Sequence, residues 1–256
     1  MKNLFLAASI LSILGCNQVH DESSRVTNSK ADPQKQQTTA LKQKENHNNF
    51  TVKTTSKDSA MIDVIVINQN PELKYGCEVT SLAMLLHHAG VKTDKMELYR
   101  EVKKETDPLI RKKNRDILHW GNPEYGHVGD MTGRKAGTTV FDRPMALLIN
   151  QKLPDRAVNL TGQPFKRILE HVGNGYPVVV WTTLDYGLPQ KWEAWYHGKE
   201  IVKVPLDLHA VVLVGYDNQF VYLNDPLSVR KKVRVNKNRF MASWEALGSR
   251  AVSYTD

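Results

Sequence analysis

The order of hydrophobic patterns in this chain predicts an α+β fold, with N-terminal helices packed on a C-terminal antiparallel sheet. Three observations carry that expectation. A helical period opens at Cys77, where Val79, Leu82, Ala83 and Leu86 recur at i, i+3, i+4 and i+7. Short β-branched runs dominate the C-terminal half, and Asp217-Asn218 between two of them is a hairpin turn signal. Helices come before strands rather than alternating with them, which argues against a parallel βαβ sheet.

Taken in order, Ile62 to Ile67 reads as a strand, nearly continuous in apolar residues, and Asn68 to Pro71 as a loop. The helix from Cys77 ends at Gly90. Asp94, with Glu97 three residues on, reads as the start of a second helix that continues through Met96, Leu98 and Val102. Thr106 to Thr139 is a loose, glycine-punctuated stretch, long enough to be functional or mobile. Its glycines fit no phosphate loop, since no strand leads into them and no Gly-Lys-Ser follows. Phe141 to Ile149 reads as a helix with Pro144 near its first turn. Pro164 opens another, carrying Phe165, Ile168, Leu169 and Val172 on one face. Strands are expected at Pro177 to Trp181, Leu208 to Tyr216, Phe220 to Leu223, Val233 to Val235 and Ala251 to Tyr254, with a short helix at Arg239 to Leu247.

The N-terminal portion has a different composition. Lys2 followed by the apolar run Leu4 to Leu14 is too short to span a bilayer and reads as a secretory signal over residues 1–15. Ile13-Leu14-Gly15-Cys16 resembles a bacterial lipobox, although Leu14 is larger than usual there. This makes Cys16 the expected site of lipid attachment and predicts an exported protein held at the cell membrane. Residues 16–58 are rich in Asn, Gln, Lys, Ser and Thr. They cannot bury enough apolar surface to offset ordering entropy, so they read as a tether. Residues 59–256 remain as one domain.

The net charge is +8, spread in short runs such as Arg111 to Arg115 and Arg230 to Arg234. No aromatic residues interleave them as nucleic-acid binding would require, so no nucleic-acid partner is expected. Attraction to anionic lipid headgroups or wall polymers is the functional alternative to solvated surface. No histidine pair has a ligand spacing with an acid or thiol, so neither metal nor cofactor is expected.

The chain has two cysteines. If Cys16 carries lipid, Cys77 has no disulfide partner and is either a buried small hydrophobe or a working thiol. At a helix start, the partial positive charge and free N–H groups favour a thiolate and can bind an oxyanion. Glu78 would oppose that thiolate if it faced the sulfur. Of nine histidines, His119, His127 and His197 read as loop residues, whereas His209 stands at the entrance of an apolar strand. With a three-residue loop over Asp217 to Gln219, Asp225 faces Val211 and lies diagonal to His209, within side-chain reach. A two-residue loop would put them on opposite faces.

Taken together, Gln69, Gly76-Cys77-Glu78-Val79-Thr80-Ser81, Leu208 to Tyr216 and Asn224-Asp225-Pro226 resemble the bacteriocin-processing cysteine peptidase family, in its standalone branch without a transporter. The resemblance runs from about Ile62 to Tyr254. It implies a papain-like fold, Cys77 as nucleophile, His209 as general base and acid, Asp225 as orienter and Gln69 as oxyanion donor. Members fused to a transporter cut after two glycines. This chain shows no ATP-binding or membrane-spanning part, so that substrate is not carried over. The expected partner is a peptide or protein, cell-wall stem peptides included. Trp120, Tyr125, Trp181, Trp192 and Trp195 are candidate groove residues. Two other readings compete: a catalytically silent binding module on the same scaffold, and a wall-peptide amidase or acyltransferase.

Overall fold

A computed structural model of the chain describes residues 57–256. The expected signal sequence, Cys16 and nearly all of the expected tether lie outside the described residues. Those described all fall within the unit Lys53–Asp256.

The chain opens with β1 (Ala60–Met61), α1 (Cys77–His88) and α2 (Lys95–Glu101). Four short strands follow: β2 (Lys104–Glu105), β3 (Ile110–Arg111), β4 (Ile117–His119) and β5 (His127–Val128). Next come α3 (Asp142–Lys152), β6 (Ala157–Asn159), α4 (Phe165–Gly173) and β7 (Val178–Thr183). The strands β8 (Trp192–His197), β9 (Glu200–Pro205), β10 (Leu208–Tyr216), β11 (Phe220–Asp225) and β12 (Arg230–Asn236) precede α5 (Lys237–Ala246) and β13 (Ala251–Tyr254).

The main sheet runs β12-β11-β10-β7-β13-β6, with β1 also paired to β10, and all of its pairings are antiparallel. Every residue of β7 is buried, as are eight of the nine in β10. Successive side chains point to opposite faces, so these strands are covered on both sides, which explains their unbroken apolar runs. Helix α1 packs on β10 and β7, and α3 packs on α1. Phe165 of α4 meets Phe240 and Trp244 of α5 with ring centroids 5.9 and 5.2 Å apart. The α+β class is as the patterns predict.

Local chemistry sets the helix ends. Asp94 Oδ1 accepts from the N–H groups of Met96 and Glu97, both at 2.8 Å, and starts α2. Glu97 does not close a capping box, because its carboxylate holds Thr93 and Lys152 instead. Past α1, Val91 N–H reaches back to Leu86 C=O at 2.9 Å through Gly90, whose φ is +82°.

Three expectations are corrected. The segment from Ile62 to Ile67 is not a strand. Residues 60 and 61 pair with Tyr216 and Gly215, and Ile62 N–H adds one bond to Val214 C=O. From Leu213 back to Leu208 that edge of β10 is taken by β7, so the ladder cannot continue. The stretch from Thr106 to Thr139 is not a structureless loop. It contributes β3 and β4 to a second sheet, β3-β4-β8-β9, while β5 pairs with β2. His119, His127 and His197 accordingly lie on β4, β5 and β8 rather than in loops.

Candidate active site

Gly76 immediately precedes α1. A Cβ there would lie 2.5 Å from that of Leu73, so only glycine lets the Leu73 turn fold against the helix start. Cys77 is then the first residue of α1. The β10–β11 ladder runs no further than Val212 opposite Asn224, which leaves the edge of β10 at Ala210 open to α1. Ser81 Oγ donates to Ala210 C=O at 3.1 Å, and Ala210 N–H faces the Cys77 sulfur. The nucleophile candidate thus sits beside the residue that follows His209.

His209 Nε2 and Asp225 Oδ1 are 2.8 Å apart, with the two residues only 2% and 5% exposed. The register that brings them together has two parts. Near the turn Tyr216 pairs with Val221 and Gly215 with Tyr222, one residue out of step with a three-residue loop. Val214 is the extra residue of a bulge, and beyond it Leu213 pairs with Leu223 and Val212 with Asn224. The inner register is the one the three-residue loop predicts, but the bulge restores it rather than the turn.

Asp225 is held on both oxygens. Oδ1 also accepts from Leu227 N–H at 2.8 Å, and Oδ2 accepts from Tyr186 Oη at 2.9 Å and Ser228 Oγ at 2.7 Å. Burial pushes its carboxyl up, but the His209 hydrogen bond and charge, with the Ser228 and Leu227 donors, outweigh this and hold it well below the ordinary range. Tyr186 is an addition to the residues the sequence pattern singles out. It occupies a turn with φ of +60°. There Thr183 Oγ1 and Asp185 Oδ1 accept from Gly187 N–H at 3.0 and 2.9 Å. No local pattern signals a tyrosine aimed at an acid 39 residues away.

Glu78 is fully buried and turned toward the sulfur. Its Oε2 lies 3.4 Å from Cys77 Sγ. Its Oε1 accepts from the Thr139 hydroxyl and, at 3.4 Å, from Val140 N–H. Burial drives the Glu78 carboxyl up, with those donors offsetting part of the rise. The Cys77 thiol is pushed well up, first by burial and then by Glu78 whenever that carboxyl is ionised, against the opposing pull of Ala210 N–H. This runs counter to the thiolate that the helix start favours. The first cause is desolvation of a sulfur in a residue only 8% exposed.

Gln69 is buried in the loop before α1 and tied to the end of β11 by its N–H bond to Pro226 C=O at 3.0 Å. Its Nε2 donates to the carbonyls of Leu73 and Lys74 at 3.3 and 3.1 Å, while Oε1 has no partner among the described residues. Its amide hydrogens are therefore engaged by the 73–74 turn rather than directed at an incoming oxygen.

Cys77, Glu78, His209 and Gln69 line one cavity of about 520 Å³. Trp120 and Trp195 form part of its wall. Of the other groove candidates, Trp181 is fully buried and donates to Val140 C=O at 3.1 Å, while Tyr125 and Trp192 are exposed away from the cavity. Gly137 also lines it. The Asp130 N–H to Ala136 C=O and Thr138 N–H to Val128 C=O bonds pair Gly137 with Gly129 in a way that turns Gly137's own N–H and C=O outward. Among the described residues no group of three His, Cys, Asp or Glu side chains is arranged to hold a metal ion.

The model of the Peptidase_C39-like family matches residues 61–252. Bacillus subtilis (strain 168) YvpB, a protein of uncharacterized function, is 34% identical over 193 residues, covering 75% of this chain and 74% of YvpB. The crystal structure of a conjectured C39-like peptidase from Bacillus anthracis is similar, with a TM-score of 0.70 and 36% identity, over 78% of this chain and 98% of that one.

Proposed function

The chain belongs to the Peptidase_C39-like family, and from that premise we propose that it is a cysteine hydrolase cleaving a peptide, isopeptide or related amide bond. One observation carries the reading: His209, paired at 2.8 Å with buried Asp225, lines the same cavity as a cysteine at a helix start.

Asp225 holds Nε2 of the imidazole, which leaves Nδ1 to take the proton from Cys77. The sulfur attacks the carbonyl carbon, and the charge that develops on its oxygen is met by the free N–H of Cys77 at the first turn of α1. His209 returns the proton to the departing amine, leaving an acyl-thioester on Cys77. Water, deprotonated by His209, then releases the acid and the thiol. Gln69 joins as a second oxyanion donor when its amide turns away from the 73–74 carbonyls. The outward-facing Gly137 N–H and C=O supply a place for an extended peptide main chain to lie along the cavity wall.

Peptides outside the cytoplasmic membrane, wall stem peptides among them, are the substrate class proposed, with the chain attached through Cys16. The Ile13-Leu14-Gly15-Cys16 segment supports that placement. Labelling by a fatty acid that is lost in Cys16→Ala tests it.

A binding module without turnover is the competing reading. It draws on the raised Cys77 thiol. Iodoacetamide alkylation of Cys77 against pH separates the two. Reaction well below the pH of a free thiol, lost in His209→Ala, supports the hydrolase. Alkylation only at or above the pH of an unperturbed thiol, about 8.5, with no hydrolysis of a peptide library, supports the binding module.

A further inference from the structure

The cavity holds a titratable group for which the Cys-His-Asp scheme has no use. Glu78 follows the nucleophile directly, is fully buried, and touches the sulfur at 3.4 Å. Its two oxygens are treated differently. Oε1 receives the Thr139 hydroxyl and Val140 N–H. Oε2 accepts from the Cys77 thiol at 3.4 Å, and Glu78's own N–H also faces the carboxyl. No lysine or arginine pairs with the carboxyl among the described residues. Once the sulfur has lost its proton, a carboxylate would set Oε2 against a second buried anion 3.4 Å away, whereas a carboxylic acid with its proton on Oε2 satisfies both atoms. Burial acts in the same direction, raising the carboxyl.

We propose that Glu78 works as a neutral acid, donating its Oε2 proton in a hydrogen bond to the Cys77 thiolate during acyl transfer. The proposal rests on Cys77 being the nucleophile. The proton balance is closed. His209 takes the thiol proton and holds it until the amine leaves, and Glu78 keeps its own throughout. The cavity thereby carries one negative charge at the sulfur rather than two side by side. Glu78 is in this sense a catalytic residue, since it touches the reacting atom. It also accounts for how a sulfur in so dry a site can ionise: a donor facing it replaces the water that burial removes.

The groups that face this pair come from several elements. Cys77 and Glu78 belong to α1, Thr139 and Val140 to the segment entering α3, and His209 and Ala210 to β10. The remaining ionisable side chains around the cavity are Lys74, Tyr75, Arg111 and Glu193.

The test is the ionisation curve of Cys77 in the full chain, read by thiolate absorbance and by mass spectrometry of the iodoacetamide-labelled Cys77 peptide. Glu78→Gln keeps a donor beside the sulfur and cannot ionise, so its curve is expected to overlie that of the wild type. Glu78→Leu removes the donor and is expected to raise the pH of Cys77 ionisation by about one pH unit or more. If both variants lower it, Glu78 is a carboxylate that opposes the thiolate, and the proposal is wrong. Overlapping curves for all three mean that the carboxyl does not reach the sulfur, and this outcome overturns the proposal too. Should Glu78→Leu fail to fold, infrared difference spectra of wild type against Glu78→Gln decide. A protonated carboxyl band at neutral pH that shifts when Cys77 is alkylated supports the proposal, and a carboxylate band overturns it. A wild-type Cys77 that ionises like a free thiol whether or not His209 is present removes the hydrolase reading as well. Failure confined to the Glu78 variants on an activated Cys77 removes this inference alone.

Discussion

The cavity region contains two buried carboxyls whose surroundings push them in opposite directions. Asp225 is embraced on both oxygens by His209, Tyr186, Leu227 and Ser228, and its charged form is the stable one. Glu78 has two donors on one oxygen and only the weak thiol donor on the other, and burial pushes it toward its neutral form. Burial raises both, so what separates them is donor supply, not depth. The ionised acid sits where a cation must be held, on the imidazole. The acid pushed toward neutrality sits where a second anion would do harm, beside the sulfur.

The sharpest way to break this comparison is to neutralise the charged member. Asp225→Asn is expected to lower peptide hydrolysis by roughly a thousandfold or more while leaving the helical content by circular dichroism intact. An activity close to wild type would mean that Asp225 serves the hairpin rather than the imidazole.

Stability against pH offers a contrast of sign. For Asp225 the folded value lies below the unfolded one, so its contribution is present above the unfolded value of about 3.9 and is lost as pH falls through the folded value. For Glu78 the folded value lies above, so its contribution is complete below about 4.3 and is lost as pH rises through the folded value. Urea midpoints of Glu78→Gln measured across this range should lack the decline on the alkaline side. An unchanged slope would place the ionisation elsewhere.

His127 sharpens the point by lacking donors and acceptors alike. Both ring nitrogens are buried without partners among the described residues, and burial, followed by the nearby Lys104 charge, takes its pKa down to about 3. The unfolded chain therefore binds the extra proton first, and stability falls as pH drops from about 6.5 toward about 3. His127→Phe should flatten that limb in urea titrations. The smallest effect is expected from Tyr186→Phe, which leaves Asp225 with its other donors. A loss of about tenfold or less in kcat/KM, near ~1.4 kcal/mol, is anticipated with the pH profile unmoved.

Much of this geometry is legible in the residues. The β10 run and the α1 period stand out as apolar patterns, because those elements are buried. Cys77, His209 and Asp225 can be brought into one frame from the helix start, parity along the hairpin and the family resemblance. The β8–β9 ribbon is hidden because Trp192, Tyr196 and Ile201 lie on its exposed face, which inverts the usual pattern of apolar side chains turned inward. Tyr186 and the Thr139 contact to Glu78 are out of reach for another reason. Each joins residues far apart in sequence, and no local propensity records such a meeting.

The bulge at Val214 makes the hairpin behave like a message with a check digit. A single inserted or lost residue reverses the side of every residue beyond it. Here one such change at the turn is cancelled by a second, near the turn end of β10. The tip of the hairpin can therefore change length by one without disturbing His209 and Asp225 only when the bulge changes with it. Natural variation in that loop should come in compensated pairs, and removing Val214 alone should separate the imidazole from its acid while sparing most of the sheet.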